Sequence, residues 1–276
     1  MGFYRRNRPA VVESLVSQVV CEHGSPQNFG TPERVALLVH WAKQPVVSRS
    51  FRELTHQLAE LDYRTVIVSA AEFSQPLDWG GAIPAQTIVF RKPNLGYDFG
   101  SWAVGLGMLP AIAEAPRVIL ANDSMLGPFS DIAPLLADFD STLVDVWGLT
   151  DTRQFSHHLQ SYFLGFRDGV LAERPLRDFF SGVREERSKW EIVKHNELAL
   201  SALLRREGYL IKPAFRGEDV VGAGQNPVIA GWRQLLELGF PFVKRQILSD
   251  PTVAPRSEQV AGVVEAVFGA RIEDWI

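Results

Sequence analysis

The chain has 276 residues, 46% of them hydrophobic and 22% charged, with a formal net charge of −4. That length and composition can bury one large core or two modest ones, and the mildly acidic balance excludes a general nucleic-acid binder, whose footprint is a strongly basic face. The single cysteine, Cys21, excludes an internal disulfide framework and a cysteine-based zinc site, and fits a reducing, cytoplasmic setting.

In chain order, the basic start Met1-Gly2-Phe3-Tyr4-Arg5-Arg6-Asn7-Arg8 precedes a stretch holding Glu13, Ser14, Ser17 and Gln18, too polar for a signal-peptide core. Its three arginines read as a solvated tail; as an attraction to anionic lipid, and so a peripheral membrane contact, three charges are weak. No apolar run reaches the roughly eighteen residues of a spanning helix. Residues 1–33 are expected to form an irregular or helical lead-in, residues 34–216 an α/β domain, and residues 217–276 a helical extension packed on it.

Val35 to His40 is a short continuous apolar run, as in a strand buried on both faces. Ser48 or Ser50 can cap the next helix, along which Phe51, Leu54, Leu58 and Leu61 recur at helical spacing. Thr65 to Ser69 is a second buried strand, making a βαβ unit with parallel pairing and a right-handed crossover. Thr87 to Phe90 is the third strand, residues 101–113 a short helix, and Arg117 to Ala121 the fourth strand. Ile132 to Phe139 is helical, Leu143 to Gly148 a fifth strand, and His158 to Phe166 an aromatic-rich strand. Pro175 to Gly208 is mostly helical, Tyr209 to Pro213 a short closing strand, and two or three helices finish the chain. The expected class is α/β with a mostly parallel central sheet flanked by helices.

Two segments carry the chemistry. Asn94-Leu95-Gly96-Tyr97-Asp98-Phe99-Gly100 is a polar, glycine-broken loop that opens a helix. Asn122-Asp123-Ser124 follows a buried strand, and the carboxyl ends of strands are where open α/β sheets bind ligands. Bland readings exist for both: Asp98 as a helix N-cap, and Asp123 in an Asx-type turn before Gly127-Pro128.

These residues resemble the rhamnan synthesis protein F family of bacterial polysaccharide glycosyltransferases. The matching pieces are Asn94 to Ser101, Asn122-Asp123-Ser124 with Gly127-Pro128, Trp147 to Asp151, His158 to Phe163, Glu197 with Leu200-Ser201, and Gly239-Phe240-Pro241-Phe242-Val243-Lys244. The resemblance implies a GT-A-like fold and transfer of a sugar, in the type case rhamnose from dTDP-rhamnose, to a cell-wall or surface glycan. The implied partners are a nucleotide-sugar donor and a glycan or lipid-linked glycan acceptor, met at the inner face of the cell membrane.

On that basis Asn94, Gly96, Asp98 and Asn122 are expected to contact the donor nucleotide or its diphosphate; His40 and Ser69, at strand ends on the ligand edge, are open between framing the nucleobase pocket and core or capping roles. Asp123 is expected to stabilise the departing diphosphate, with or without a divalent cation, Mg²⁺ or Mn²⁺; Asn122 and Ser124 could add neutral oxygens. The familiar motif has two carboxylates here and this chain one. Glu197 is similar to the acid that deprotonates the acceptor hydroxyl in inverting enzymes, although Leu198 stands where a second acid is usual, and pairing with Lys194 is its bland role. His158 and Gln160 would share a strand face suited to sugar hydroxyls. Trp147 is open between stacking on a sugar and core packing, and Lys244 and Arg245, in the last matching piece, are open between meeting a diphosphate or lipid-linked acceptor and forming an ordinary exposed basic pair. The rival expectation is a non-catalytic carbohydrate- or nucleotide-binding subunit that keeps the fold.

Overall fold

The computed structural model describes residues 8–70 and 72–275. A short helix α1 (Val11–Leu15) leads to strand β1 (Val20–His23), β2 (Arg34–His40), helix α2 (Arg49–Glu60) and β3 (Arg64–Ala70). Then come β4 (Ile88–Lys92), α3 (Tyr97–Met108), α4 (Ala111–Glu114), β5 (Arg117–Asn122) and β6 (Met125–Leu126). Helix α5 (Ala133–Ser141) precedes β7 (Val146–Thr152), β8 (His158–Leu159) and β9 (Phe163–Arg167). Helices α6 (Arg174–Ser181) and α7 (Lys189–Ile192) run through a π-helical turn, Val193–Glu197, into α8 (Leu198–Arg206). Strand β10 (Ile211–Phe215) is followed by α9 (Pro227–Ala230), α10 (Trp232–Glu237), β11 (Val243–Lys244), α11 (Arg245–Ser249) and α12 (Val260–Phe268).

The main sheet has nine strands in the order β1-β4-β3-β2-β5-β9-β7-β10, with β8 paired to β7. Strands β4, β3, β2 and β5 are parallel, as is β10 to β7; β1, β9 and β8 run antiparallel to their neighbours. The continuous apolar runs arise because both faces are covered. Val35, Leu37 and Val39 face the layer of α1, α3 and α6, while Ala36 and Leu38 face that of α2 and α5. From β2 the sheet grows one way through β3 and β4 and the other way through β5, so the order reverses between β2 and β5. At such a switch point the loops leave in opposite directions and open a crevice at the carboxyl ends of the strands.

Some expected boundaries shift for local reasons. The lead-in contains strand β1, Val-Cys-Glu-His, short and mostly exposed and so hidden from a hydrophobicity reading; it pairs with the edge of β4. The fifth strand begins at Val146 and continues through Thr150, Asp151 and Thr152, polar but buried, while Leu143 is 88% exposed. The aromatic strand is two, β8 and β9, because the chain turns at Gln160, Ser161 and Tyr162. Ser48 caps α2, its hydroxyl accepting the Phe51 amide at 3.3 Å. Arg5 and Arg6 lie outside the described residues; Arg8 is 3.6 Å from Glu186 and donates to the Glu185 carbonyl at 2.6 Å. Among the described residues no helix is long and apolar enough to cross a membrane.

The C-terminal segment builds a third apolar cluster, Trp232, Leu236, Val243, Ile247, Val260, Val264 and Trp275, which closes over Leu126 and Phe129. It is stitched to the sheet domain by the ribbon β6–β11, with Val243 opposite Leu126 and Lys244 opposite Met125. Gly127, at φ +114°, makes this junction possible: a Cβ there would lie 2.4 Å from the Pro241 carbonyl oxygen. Gly127→Ala is therefore expected to destabilise the protein by about 2–4 kcal/mol, through a disallowed backbone angle and a backbone clash. Urea unfolding checks it; an unchanged midpoint would show that the junction has slack.

Candidate active site

The crevice at the switch point is built from five places in the sequence. Strand β2 ends at His40, and the next amide, Trp41 N–H, donates to Asp123 Oδ2 at 2.7 Å. Strand β5 ends at Asn122, whose Nδ2 donates to Asp98 Oδ2 at 2.7 Å. The first turn of α3 and the end of β5, more than twenty residues apart in sequence, thus meet directly. Ribbon β6–β11 brings Lys244, whose Nζ donates to Ser124 Oγ at 2.9 Å, and the π turn brings Glu197.

One hydrogen-bonded relay ties these together. Lys244 donates to Ser124, Ser124 Oγ donates to Asn122 Oδ1 at 2.6 Å, and Asn122 donates to Asp98. Arg245 fastens the far side, with Nε on the Asp123 carbonyl at 2.9 Å and a terminal nitrogen on Ser48 Oγ at 3.0 Å. Asp98 is not the helix cap; Gly96 occupies that position at φ 82°, leaving the Asp98 carboxyl for Asn122. Burial raises the Asp98 carboxyl above the ordinary carboxylate range, against the pull of Lys244 and the Asn122 hydrogen bond. Burial also pushes Asp123 up to about 7, opposed by the Trp41 amide and reinforced by the Asp98 charge. Both side chains remain partly open to solvent, so a ligand can reach them. Perturbed carboxyls in a strand-end crevice are the physical signature of a functional site.

Glu197 closes the opposite wall. Its Oε1 accepts the Ser161 amide at 2.9 Å and lies 3.9 Å from His158 Nε2. It does not pair with Lys194, because the π turn rotates it off the solvent face; single π turns inside helices recur at functional sites. The Lys244 ammonium feels Glu197, Asp98 and Asp123 together, and burial lowers its pKa against all three attractions. It also lies 5.7 Å from the centre of the Tyr162 ring.

Other expected residues fall nearby in different roles. His40 Nδ1 and Ser69 Oγ are 3.0 Å apart on the ligand edge, buried and bonded to each other beneath the crevice. Burial, then Arg245 and Arg91, lower the His40 pKa to about 4, so its ring is neutral at physiological pH. Asn94 is exposed and donates to Glu72 at 2.9 Å, on the outer side of the loop. Gly96 packs against α1: a Cβ there would meet both Val11 methyls at 2.9 Å, so its lack of a side chain admits that helix.

Two expectations are corrected. Trp147 cannot stack on a sugar: it is fully buried between Phe139 and Phe163, with its indole N–H donated to Asp138 at 2.8 Å. Gln160 and His158 do not share a free strand face, since the strand stops at Leu159. Gln160 is engaged by Thr150 Oγ1 at 2.7 Å and Asn226 Oδ1 at 3.1 Å, whereas His158 bonds the Ser156 carbonyl and backs Glu197.

The sequence reading omitted Trp41 and Lys92. Lys92, buried at the end of β4, donates to the Leu95 and Pro93 carbonyls at 2.7 and 3.1 Å and props the loop that carries Asp98. A lysine closing an apolar strand just before a glycine loop was the available signal. The exposed Trp190, 5.0 Å from Phe155 across a T-shaped contact, sits on α7 immediately before the π turn.

The family described as rhamnan synthesis protein F matches residues 82–268, a span that includes Asp98, Asn122, Asp123, Glu197 and Lys244. The chain is 28% identical to the virulence protein VirA of Vibrio anguillarum, over 88% of this chain and 87% of that one. It is 23% identical to the uncharacterized protein y4gN of Sinorhizobium fredii, over 74% of this chain and 54% of that one. With a mixed α/β sheet and a family match across most of its length, the chain belongs to the rhamnan synthesis protein F family and to polysaccharide biosynthesis.

Proposed function

We propose that this chain is a GT-A-like glycosyltransferase that moves a sugar, L-rhamnose from dTDP-rhamnose, to a hydroxyl of a growing cell-wall or surface glycan, with inversion. The observation that carries this reading is the convergence of Asp98, Asn122, Asp123, Lys244 and Glu197 on one strand-end crevice, acids and a cation from four separate segments. The crevice lies at the switch point, where a nucleotide would lie along the strand ends.

In the reaction, the bond between the anomeric carbon and the diphosphate oxygen breaks, and the acceptor oxygen bonds that carbon from the opposite face. Glu197 takes the acceptor proton, and the diphosphate leaves with the bonding pair. Lys244 faces the charge that develops on the leaving oxygen; Asp98 and Asp123 take hydroxyls of the donor. Catalysis here is positioning plus fixed charge, with little reorganisation at the moment of reaction. The acceptor, a free or lipid-linked glycan, enters from the Glu197 side, past Trp190.

A melting-temperature screen against nucleoside diphosphates and nucleotide sugars tests this. At about one hundred times its dissociation constant, a bound donor adds about 2.7 kcal/mol, or about 5–10 °C for a chain of this size. Release of free sugar or transfer to glycan should accompany the shift. A donor that binds but never turns over would favour a binding subunit, and no shift with any nucleotide would remove the reading.

A further inference from the structure

The place that a divalent cation would take in this site already holds a charge belonging to the chain. A resident ion needs free oxygens around it, and those expected to serve are engaged. Asn122 Oδ1 accepts both the Ser124 amide at 3.1 Å and the Ser124 hydroxyl at 2.6 Å, while Ser124 Oγ receives the Lys244 ammonium at 2.9 Å. One Asp123 oxygen is held by the Trp41 amide, and one Asp98 oxygen by Asn122. Among the described residues, no three histidine, cysteine or acidic side chains are grouped to hold a metal. The donor set does not fit a resident ion. The Lys244 Nζ stands instead among Glu197, Asp98 and Asp123, fixed by the register of β11 on β6 and by the Tyr162 ring.

We infer that Lys244, with Arg245 behind it, takes the place of a divalent cation, neutralising the donor diphosphate with two side-chain charges and making donor binding independent of metal. This rests on the glycosyltransferase reading. A lysine and an arginine together carry the charge of one Mg²⁺, and at fixed positions they hold it without coordination geometry to satisfy. Burial disfavours the charged form of both aspartates, which lessens the repulsion that an entering diphosphate meets. The two cations reach the crevice from consecutive residues: Lys244 through its side chain to Ser124, Arg245 through its guanidinium to the Asp123 carbonyl.

The test uses full-length protein stripped of metal, with dTDP and UDP as calorimetric probes, in chelator and then in excess Mg²⁺ or Mn²⁺. Wild-type affinity is expected to agree within about threefold between the two conditions, and Lys244→Met is expected to lose about 100-fold in chelator. Lys244→Arg should recover part of that loss, and a melting curve on each variant reports folding. Mn²⁺ uptake, read by electron paramagnetic resonance without nucleotide, is expected in Lys244→Met, whose acids have lost their cation, and not in the wild type. Wild-type binding that requires metal overturns the inference, as does unchanged affinity in Lys244→Met or stoichiometric Mn²⁺ uptake by the wild type. An absence of nucleotide binding in every condition overturns the donor reading, whereas the Mn²⁺ results bear on Lys244 alone.

Discussion

Glu197→Gln is expected to lower the turnover number for glycosyl transfer by about 10²–10⁴, the usual worth of a positioned general base. Glutamine keeps an oxygen for the Ser161 amide, now accepted by Oε1 at 2.9 Å, so the β8–β9 turn and the π turn retain their anchor. The loss should therefore appear in turnover rather than in donor affinity, with a melting temperature within about 3 °C of wild type. Measuring kcat and KM for transfer, beside donor affinity by calorimetry, separates the two. An inverting displacement needs a base opposite the leaving group, and Glu197, with His158 at 3.9 Å, is the acid assigned that place in the proposed reaction. If the variant transfers at the wild-type rate while Asp123 remains necessary, the base assignment falls and a retaining path takes its place.

Asp123→Asn is expected to push activity and stability in opposite directions. Transfer should fall by about 10²–10³, since the amide cannot reproduce a carboxylate facing the donor. The protein should nevertheless become more stable near neutral pH. The Asp123 carboxyl is pushed up to about 7 in the folded state, chiefly by burial, against an unfolded value near 4. Between those values the folded form holds a proton that the unfolded form has released, so this residue's contribution falls as pH rises from about 4 to about 7, then stays level. Asparagine removes that penalty. Discounted for partial exposure, the gain at pH 8 is about 2–6 °C in melting temperature. It should shrink toward zero at pH 4–5, where the wild-type carboxyl is neutral as well. Melting curves across that range check the sign; a variant less stable than wild type at pH 8 would mean that Asp123 is held by its partners rather than strained by burial.

Much of the fold was legible because both faces of the sheet are covered. Val35 to His40, Thr65 to Ser69 and Arg117 to Ala121 could be read directly as buried strands, and all three lie within one residue of their observed limits. Strand β1 was hidden because an edge strand with exposed side chains has no apolar signature. In the site, Asp98, Asn122, Asp123, Glu197 and Lys244 could be singled out by motif, yet nothing local fixed their roles. Trp147 was left open because an aromatic near a strand end looks alike whether it faces a ligand or Phe139. The packing of Gly96 on α1 could not be foreseen because the neighbour concerned, Val11, is far away in sequence. Trp41 was missed because its contact to Asp123 is a backbone amide on a carboxylate, which no pattern of residue types records.

The β6–β11 ribbon has a consequence for biosynthesis. Its second strand is translated more than a hundred residues after its first, so a nascent chain can complete the βαβ units and their acids while still lacking the lysine that serves them. A ribosome-bound intermediate stalled before Val243 would carry acids without their lysine and an uncovered Phe129, and completes the ribbon only once Val243 and Lys244 have emerged.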